Sequence, residues 1–167
     1  MTKFLLDSNV FLEAQNRYYA QDIVPAFWDW MDIVVGEDFG TIQPVRDELL
    51  VKDDPLGNWI RDRRHADWIL GVDDGPTQAE FATIAAELDA STQYKRPAIE
   101  KFLSGADPWL IAKAKVLGAT IVTHEVLSPD AKARVPIPNL CRPRNVPFTN
   151  TFETLRHLKA NFRLPGK

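Results

Sequence analysis

Apolar residues in this chain come in short runs and helical stripes, separated by turn residues, and this pattern sets out the elements. Phe4 to Leu6 reads as a short buried strand, and Asn9 to about Ala14 as the start of a helix. Between Asp22 and Val35, apolar side chains such as Ile23, Phe27, Trp28 and Met31 recur at helical spacing, and Gly36 supplies a stop. Thr41 to Gln43 predicts a second strand, and Pro44 suits the first turn of a helix running to Leu50. Pro55 and Gly57 break the pattern, so the next helix is expected from Asn58 to about His65. Trp68 to Leu70 follows as a strand or buried connection, and Asp73 to Pro76 as a turn.

Phe81, Ile84, Ala85 and Leu88 put one apolar face on a helix from Thr77 to Ala90. A shorter helix is predicted over Pro97 to Leu103. Another begins at Asp107-Pro108 and ends at Gly118. Ala119 to Val122 reads as a strand, Pro138 to Cys141 as a weak final strand, and Thr151 to Phe162 as a terminal helix. Short apolar strands alternating with helices imply an α/β fold with a parallel sheet covered on both faces.

Composition narrows the class. The 167 residues suit one domain, expected over 1–167, and neither a repeat nor a linker divides them. Hydrophobic residues at 45% and charged residues at 26% are ordinary for a globular chain. No apolar run is long enough to cross a bilayer and no signal-peptide pattern opens the chain, so a cytoplasmic protein is expected. Cys141 is the only cysteine, which fits a reducing compartment, and with His65, His124 and His157 it makes no zinc spacing. A net charge of −3 excludes a generally basic nucleic-acid coat, so a nucleic-acid substrate would need local basic patches or metal ions.

Four acids sit at element ends. In a parallel sheet, ligands bind beyond the carboxyl ends of the strands, where Asp7 follows the first strand and Glu125 follows Ala119–Val122. Glu48 and Asp107 lie at helix starts. Each has a simpler reading. Asp7, with Ser8 and Asn9, would cap the next helix; Asp107 before Pro108 is a good N-cap; Glu48 suits the helix dipole; Glu125 would be a surface acid. If the acids meet, their charges need compensation, and hard oxygen ligands suit Mg²⁺ or Mn²⁺.

Four segments carry a resemblance, in this order: Phe4-Leu-Leu-Asp7-Ser-Asn9, Val45-Arg-Asp-Glu48-Leu49, Ala106-Asp107-Pro-Trp-Leu-Ile-Ala112 and Ile121-Val-Thr123-His-Glu125. Together they resemble the PIN-domain nuclease superfamily, including the VapC-like ribonuclease toxins. The last motif usually reads Thr-x-Asp and here reads Thr123-His-Glu125, which, with the Trp-rich segment after Asp22, marks a divergent branch. The resemblance implies a three-layer α/β/α sandwich around a central parallel sheet. It implies that Asp7, Glu48, Asp107 and Glu125 hold one or two Mg²⁺ or Mn²⁺ ions for RNA hydrolysis. A bound divalent ion lowers the pKa of water and steadies the leaving oxygen, so no protein nucleophile is required.

Asn9 and Thr123 are expected to support the site: Asn9 by hydrogen bonding to Asp7 or to a scissile phosphate, where its simpler reading is a helix-start residue, and Thr123 by its hydroxyl beside Glu125. Arg61, Arg63 and Arg64 form a basic run, either a solvated helix face or a contact to the RNA backbone. Lys95-Arg96 and Arg142/Arg144 are further basic candidates, and His124 reads as a surface residue. The expected partners are RNA, an antitoxin covering the cleft, and a second copy in a homodimer. Two alternatives stand beside the nuclease. One is a non-catalytic RNA- or protein-binding PIN domain. The other is a strand-end aspartate phosphohydrolase, which would want a second aspartate where Asn9 stands.

Overall fold

The computed structural model describes residues 3–164. Its centre is a five-stranded sheet in the order β3-β2-β1-β4-β5, parallel throughout. The strands are β1 (Phe4–Leu6), β2 (Phe39–Ile42), β3 (Ile69–Leu70), β4 (Thr120–Val122) and β5 (Phe148–Thr149). β1 is wholly buried, as a central strand covered on both faces must be.

The helices are α1 (Ser8–Glu13), α2 (Pro25–Val34), α3 (Gln43–Leu50), α4 (Pro55–Asp62), α5 (Gly75–Asp89), α6 (Arg96–Ser104), α7 (Asp107–Leu117), α8 (Ile137–Cys141) and α9 (Thr151–His157). One π-helical turn, Ala14–Tyr18, extends α1, and one 3₁₀ turn, Arg142–Arg144, follows α8. Proline in the first turn of α2 to α8 fits the expectation that it starts helices, where its missing N–H costs nothing. α7 ends at Gly118, whose φ of 65° is easily reached only without a side chain.

The chain steps from β1 to β2 to β3 through α1 to α4, then returns through α5 to α7 to place β4 on the other side of β1. With right-handed crossovers, that reversal sends the two helix groups to opposite faces and makes a three-layer α/β/α sandwich. It also opens a crevice beyond the carboxyl ends of β1 and β4.

The core runs through both layers. Leu5, Ile42, Ile121, Leu110 and Ile111 are fully buried against one another's elements. The Trp-rich segment after Asp22 is also core: Trp28 lies edge-on to Trp59 at 5.0 Å, and its indole N–H donates to the Tyr19 carbonyl at 2.6 Å. On the opposite layer Phe81 of α5 stacks on Trp109 of α7 at 3.8 Å. Among the described residues no helix is long and apolar enough to cross a membrane.

Four expectations about elements change. α2 starts at Pro25, not Asp22. α4 starts at Pro55 rather than Asn58, because the Asp54 carboxylate accepts the Gly57 N–H at 2.7 Å and caps a helix that has proline at its first position. Pro138 to Cys141 is not a strand but most of α8, burying Ile137, Leu140 and Cys141 at helical spacing. The last strand is Phe148–Thr149, and the terminal helix stops at His157, followed by Lys159 at a left-handed φ of 55°.

Candidate active site

β1 delivers Asp7 to the crevice. The Asp7 N–H still donates to Val122 of β4 at 3.0 Å, so the residue is held by the sheet while its carboxyl lies beyond it. Asp7 occupies the N-cap position of α1 but makes no side-chain cap. Its carboxylate instead accepts from Thr123 Oγ1 at 2.9 Å, Ser8 Oγ at 3.3 Å and Asn9 Nδ2 at 3.4 Å. The residue is 1% exposed, and burial pushes its carboxyl up to about 6, against the pull of the Thr123 bond.

Asp107 does not cap α7 either. It is the first residue of that helix, whose N-cap is Ala106. The Ala106 N–H donates to Glu48 Oε1 at 2.9 Å, so α3 and α7 are stitched together through Glu48. Among the described residues no donor or ion pair engages the Asp107 carboxyl, which lines the cleft. Burial first, and then the charges of Asp7, Glu125 and Glu48, push it up to about 8.

Glu125 comes from the segment after β4. Its N–H donates to Thr123 Oγ1 at 3.1 Å. One carboxylate oxygen accepts the Ile137 N–H at 2.6 Å and the other faces the Arg134 guanidinium at 3.6 Å.

The four predicted acids therefore stand around one crevice. Glu48, Asp107 and Glu125 line a cleft of about 390 Å³ together with Ser8 and Asn9, and Asp7 lies buried behind them. Among the described residues, no three of the acids, histidines or cysteines are already gathered at metal-holding distance. The donor set is all hard oxygen, and the two innermost acids, Asp7 and Asp107, are those whose charged forms the surroundings disfavour. An all-oxygen donor set suits magnesium or manganese better than zinc.

Asn9 contacts Asp7, and Thr123, expected beside Glu125, bonds both the Glu125 N–H and Asp7. The basic run does not line the cleft. Arg63 is committed elsewhere: its guanidinium grips Asp32 with two bonds of 2.7 Å and lies 4.3 Å over the Trp59 ring. Arg61 donates to the Asn58 side chain and Arg64 to the Arg61 carbonyl at 3.0 Å. Arg96 pairs with Asp89 at 2.6 Å, and Arg144 is buried between Glu80 and Glu87. His124 is half-buried, bonded to Thr151 Oγ1 at 3.0 Å and set among Tyr18 and Phe152.

The basic residues that do line the cleft are Lys101 and Arg134, which sequence reasoning passed over. Lys101 is one charge on the short helix α6, with no motif to mark it. Arg134 sits in a segment with no periodic pattern, so nothing local marked it.

A family model described as "Domain of unknown function (DUF4411)" matches residues 4–162. A search of curated protein sequences finds no match. Among solved structures, the chain is similar to a chain of VapBC2 from Rickettsia felis bound to a DNA fragment from its promoter. That match has 15% identity and a TM-score of 0.52, and covers 89% of this chain and 98% of the other. FitAcB from Neisseria gonorrhoeae gives 19% identity, a TM-score of 0.51 and the same coverage, 89% and 98%. A FitAB structure bound to an IR36 DNA fragment gives 19% identity and a TM-score of 0.50, over 88% of this chain and 94% of that one. At these identities the likeness carries the fold alone, an α/β/α sandwich around a parallel sheet of the PIN-like kind.

Proposed function

The chain belongs to the DUF4411 family, and from its PIN-type fold and the acids around one cleft we propose that it is a metal-dependent endoribonuclease acting as the toxin of a toxin–antitoxin pair. The observation that carries this reading is Asp107: an acid that no donor engages among the described residues, pushed up to about 8 by burial and three neighbouring acids, on the wall of the crevice beside β1 and β4. Such a group gains most from a cation.

In this reading Asp7, Asp107 and Glu48 would hold Mg²⁺ or Mn²⁺. When bound, the ion supplies an activated water and charge stabilisation for in-line hydrolysis of a phosphodiester. Thr123, Ser8 and Asn9 fix the Asp7 carboxylate, as partners behind metal ligands do. Glu48 couples α3 to the start of α7, so the two helices present their acids together. Lys101 stands at the rim as a positive charge towards an RNA backbone. The two toxin–antitoxin names among the fold neighbours support an antitoxin partner that covers the cleft, and a cytoplasmic homodimer completes the proposal.

The test is cleavage of single-stranded RNA with Mg²⁺ or Mn²⁺. Asp7→Asn and Asp107→Asn should each abolish it while circular dichroism shows a folded protein. Undiminished cleavage in both variants would overturn the site. One observation favours a second reading, a PIN domain that binds RNA without cutting it: no three acids already stand at metal-holding distance among the described residues. RNA binding without cleavage across several divalent ions would select that reading.

A further inference from the structure

Glu125 differs from the other three acids. Both of its carboxylate oxygens have partners, and both partners lie on one segment: Ile137 N–H at 2.6 Å and Arg134 Nη1 at 3.6 Å. On its other side Glu125 is tied to Thr123, whose hydroxyl also bonds Asp7. A continuous chain of contacts therefore runs from Asp7 through Thr123 and Glu125 to the segment carrying Arg134.

That segment is built rather than loose. The Lys95 N–H donates to the Lys132 carbonyl at 2.8 Å, and Gln93 Nε2 donates to the carbonyls of Pro129 at 2.6 Å and Ala131 at 3.1 Å. Asn139 closes its base by bonding both backbone groups of Ser128, at 2.9 and 2.7 Å. The result places Arg134 on the wall of the cleft that Asp107 and Glu48 also line. Its side chain is 55% exposed, and at 3.6 Å its contact to Glu125 is a charge contact rather than a hydrogen bond. A guanidinium carries five donors in a rigid fork suited to phosphate oxygens.

Resting on the nuclease reading, we propose that Arg134 binds a backbone phosphate of the RNA at the cleft mouth, and that Glu125 is the positioning residue that holds it there rather than a metal ligand. The length of the glutamate matters. An aspartate would be shorter by about 1.5 Å, one carbon–carbon bond, and would fall short of the Ile137 N–H. The position where the PIN motif usually carries aspartate thus has a residue long enough to hook the neighbouring segment.

The experiment compares Glu125→Asp, Glu125→Gln, Arg134→Ala and Arg134→Lys in full-length protein. It measures kcat and KM on single-stranded RNA with Mn²⁺, Mn²⁺ affinity, and the salt dependence of RNA binding in EDTA. Arg134→Ala should raise KM about ten-fold, as expected for losing a charged hydrogen bond, with a smaller change in kcat and Mn²⁺ affinity unaltered. Its salt slope should fall by about 0.7, one phosphate contact on a single strand, and Arg134→Lys should restore part of the binding. Glu125→Asp should resemble Arg134→Ala. Glu125→Gln should be milder, because its amide oxygen still accepts from Ile137.

The opposite ranking, with Glu125→Gln losing Mn²⁺ affinity and kcat while Glu125→Asp keeps both, makes Glu125 a metal ligand and overturns the positioning role. An unchanged KM and salt slope in Arg134→Ala overturns the phosphate contact. If the wild-type protein cuts no RNA, the nuclease reading fails by itself; the salt slope in EDTA still decides Arg134, and absence of RNA binding overturns both.

Discussion

Thr123 Oγ1 donates to Asp7 Oδ2 at 2.9 Å, joining residues 116 positions apart at the ends of two neighbouring strands. The bond is buried and its acceptor is a carboxylate, so it favours the charged form of Asp7. Thr123→Val keeps the shape and removes the donor. The Asp7 carboxyl, already raised to about 6 by burial, should then rise further. The loss of stability should be about 1–3 kcal/mol where Asp7 is charged, above pH 7, and smaller at pH 4.5 where it is protonated. Urea denaturation at the two pH values measures this, and an equal loss at both would contradict it.

Asp107 makes the metal-free protein prefer mildly acidic solution. Its carboxyl is raised from 3.8 to about 8, so between these values the folded state holds a proton that the unfolded chain has released. Stability from this group is full below about pH 4 and declines as pH rises through about 8. Asp107→Asn should flatten that decline and add about 1–3 kcal/mol at pH 8, the pKa shift discounted for solvent that reaches a partly exposed side chain. Saturating Mn²⁺ should do the same for the wild type, by about 2.7 kcal/mol at a hundred times its Kd, and do little for Asp107→Asn. Thermal melts in EDTA and in Mn²⁺ across pH 5–8 provide the comparison.

Arg63 and Arg61 should separate packing from surface charge. Arg63 grips Asp32 with two 2.7 Å bonds and covers Trp59, joining α2 to α4. Arg63→Ala should cost about 1–3 kcal/mol, since it removes both charge-assisted bonds and the covering contact. Arg61→Ala lies on a solvated face and should stay within about 0.5 kcal/mol. Denaturant midpoints test the stability split. Filter binding of Arg61→Ala and Arg64→Ala to RNA tests whether either residue touches substrate at all: unchanged affinity in both variants would remove Arg61 and Arg64 from the RNA surface.

The parts of this fold that were legible in the sequence are those where local and tertiary demands agree. β1 is a continuous apolar run, and β4 ends in the buried pair Ile121 and Val122, because central parallel strands are buried on both faces. α7 is bracketed by Pro108 and Gly118, and both punctuation marks mean there what they mean elsewhere. The acids could be found one at a time at element ends, but their meeting could not, because it depends on β4 inserting beside β1. β5 was hidden because a two-residue edge strand has no period to detect. The residues of α8 read equally well as a strand, because Pro138 and a few apolar residues suit either structure. Arg134 escaped because its place is set by contacts with Glu125, Lys95 and Gln93 from distant segments.

Gly57 shows the same point at atomic scale. Pro55 and Gly57 read as breakers, yet both lie inside α4. A glycine-to-alanine change within a helix ordinarily gains about 1 kcal/mol. Here a Cβ on Gly57 would meet the Lys52 carbonyl oxygen at 2.1 Å and the Asp54 cap oxygen at 3.3 Å. The first contact is with backbone, which cannot rotate away, so α4 must shift from the turn before it. That shift also strains the 2.7 Å bond from the Gly57 N–H to Asp54 that starts the helix. Overpacking costs about 1–3 kcal/mol and losing a cap about 1 kcal/mol, together exceeding the helix gain. Gly57→Ala should therefore be less stable than wild type, and less stable than Asp54→Ala, which loses the cap alone. Urea denaturation of the three proteins decides the order, and a Gly57→Ala protein as stable as wild type would show that the 51–54 turn yields freely.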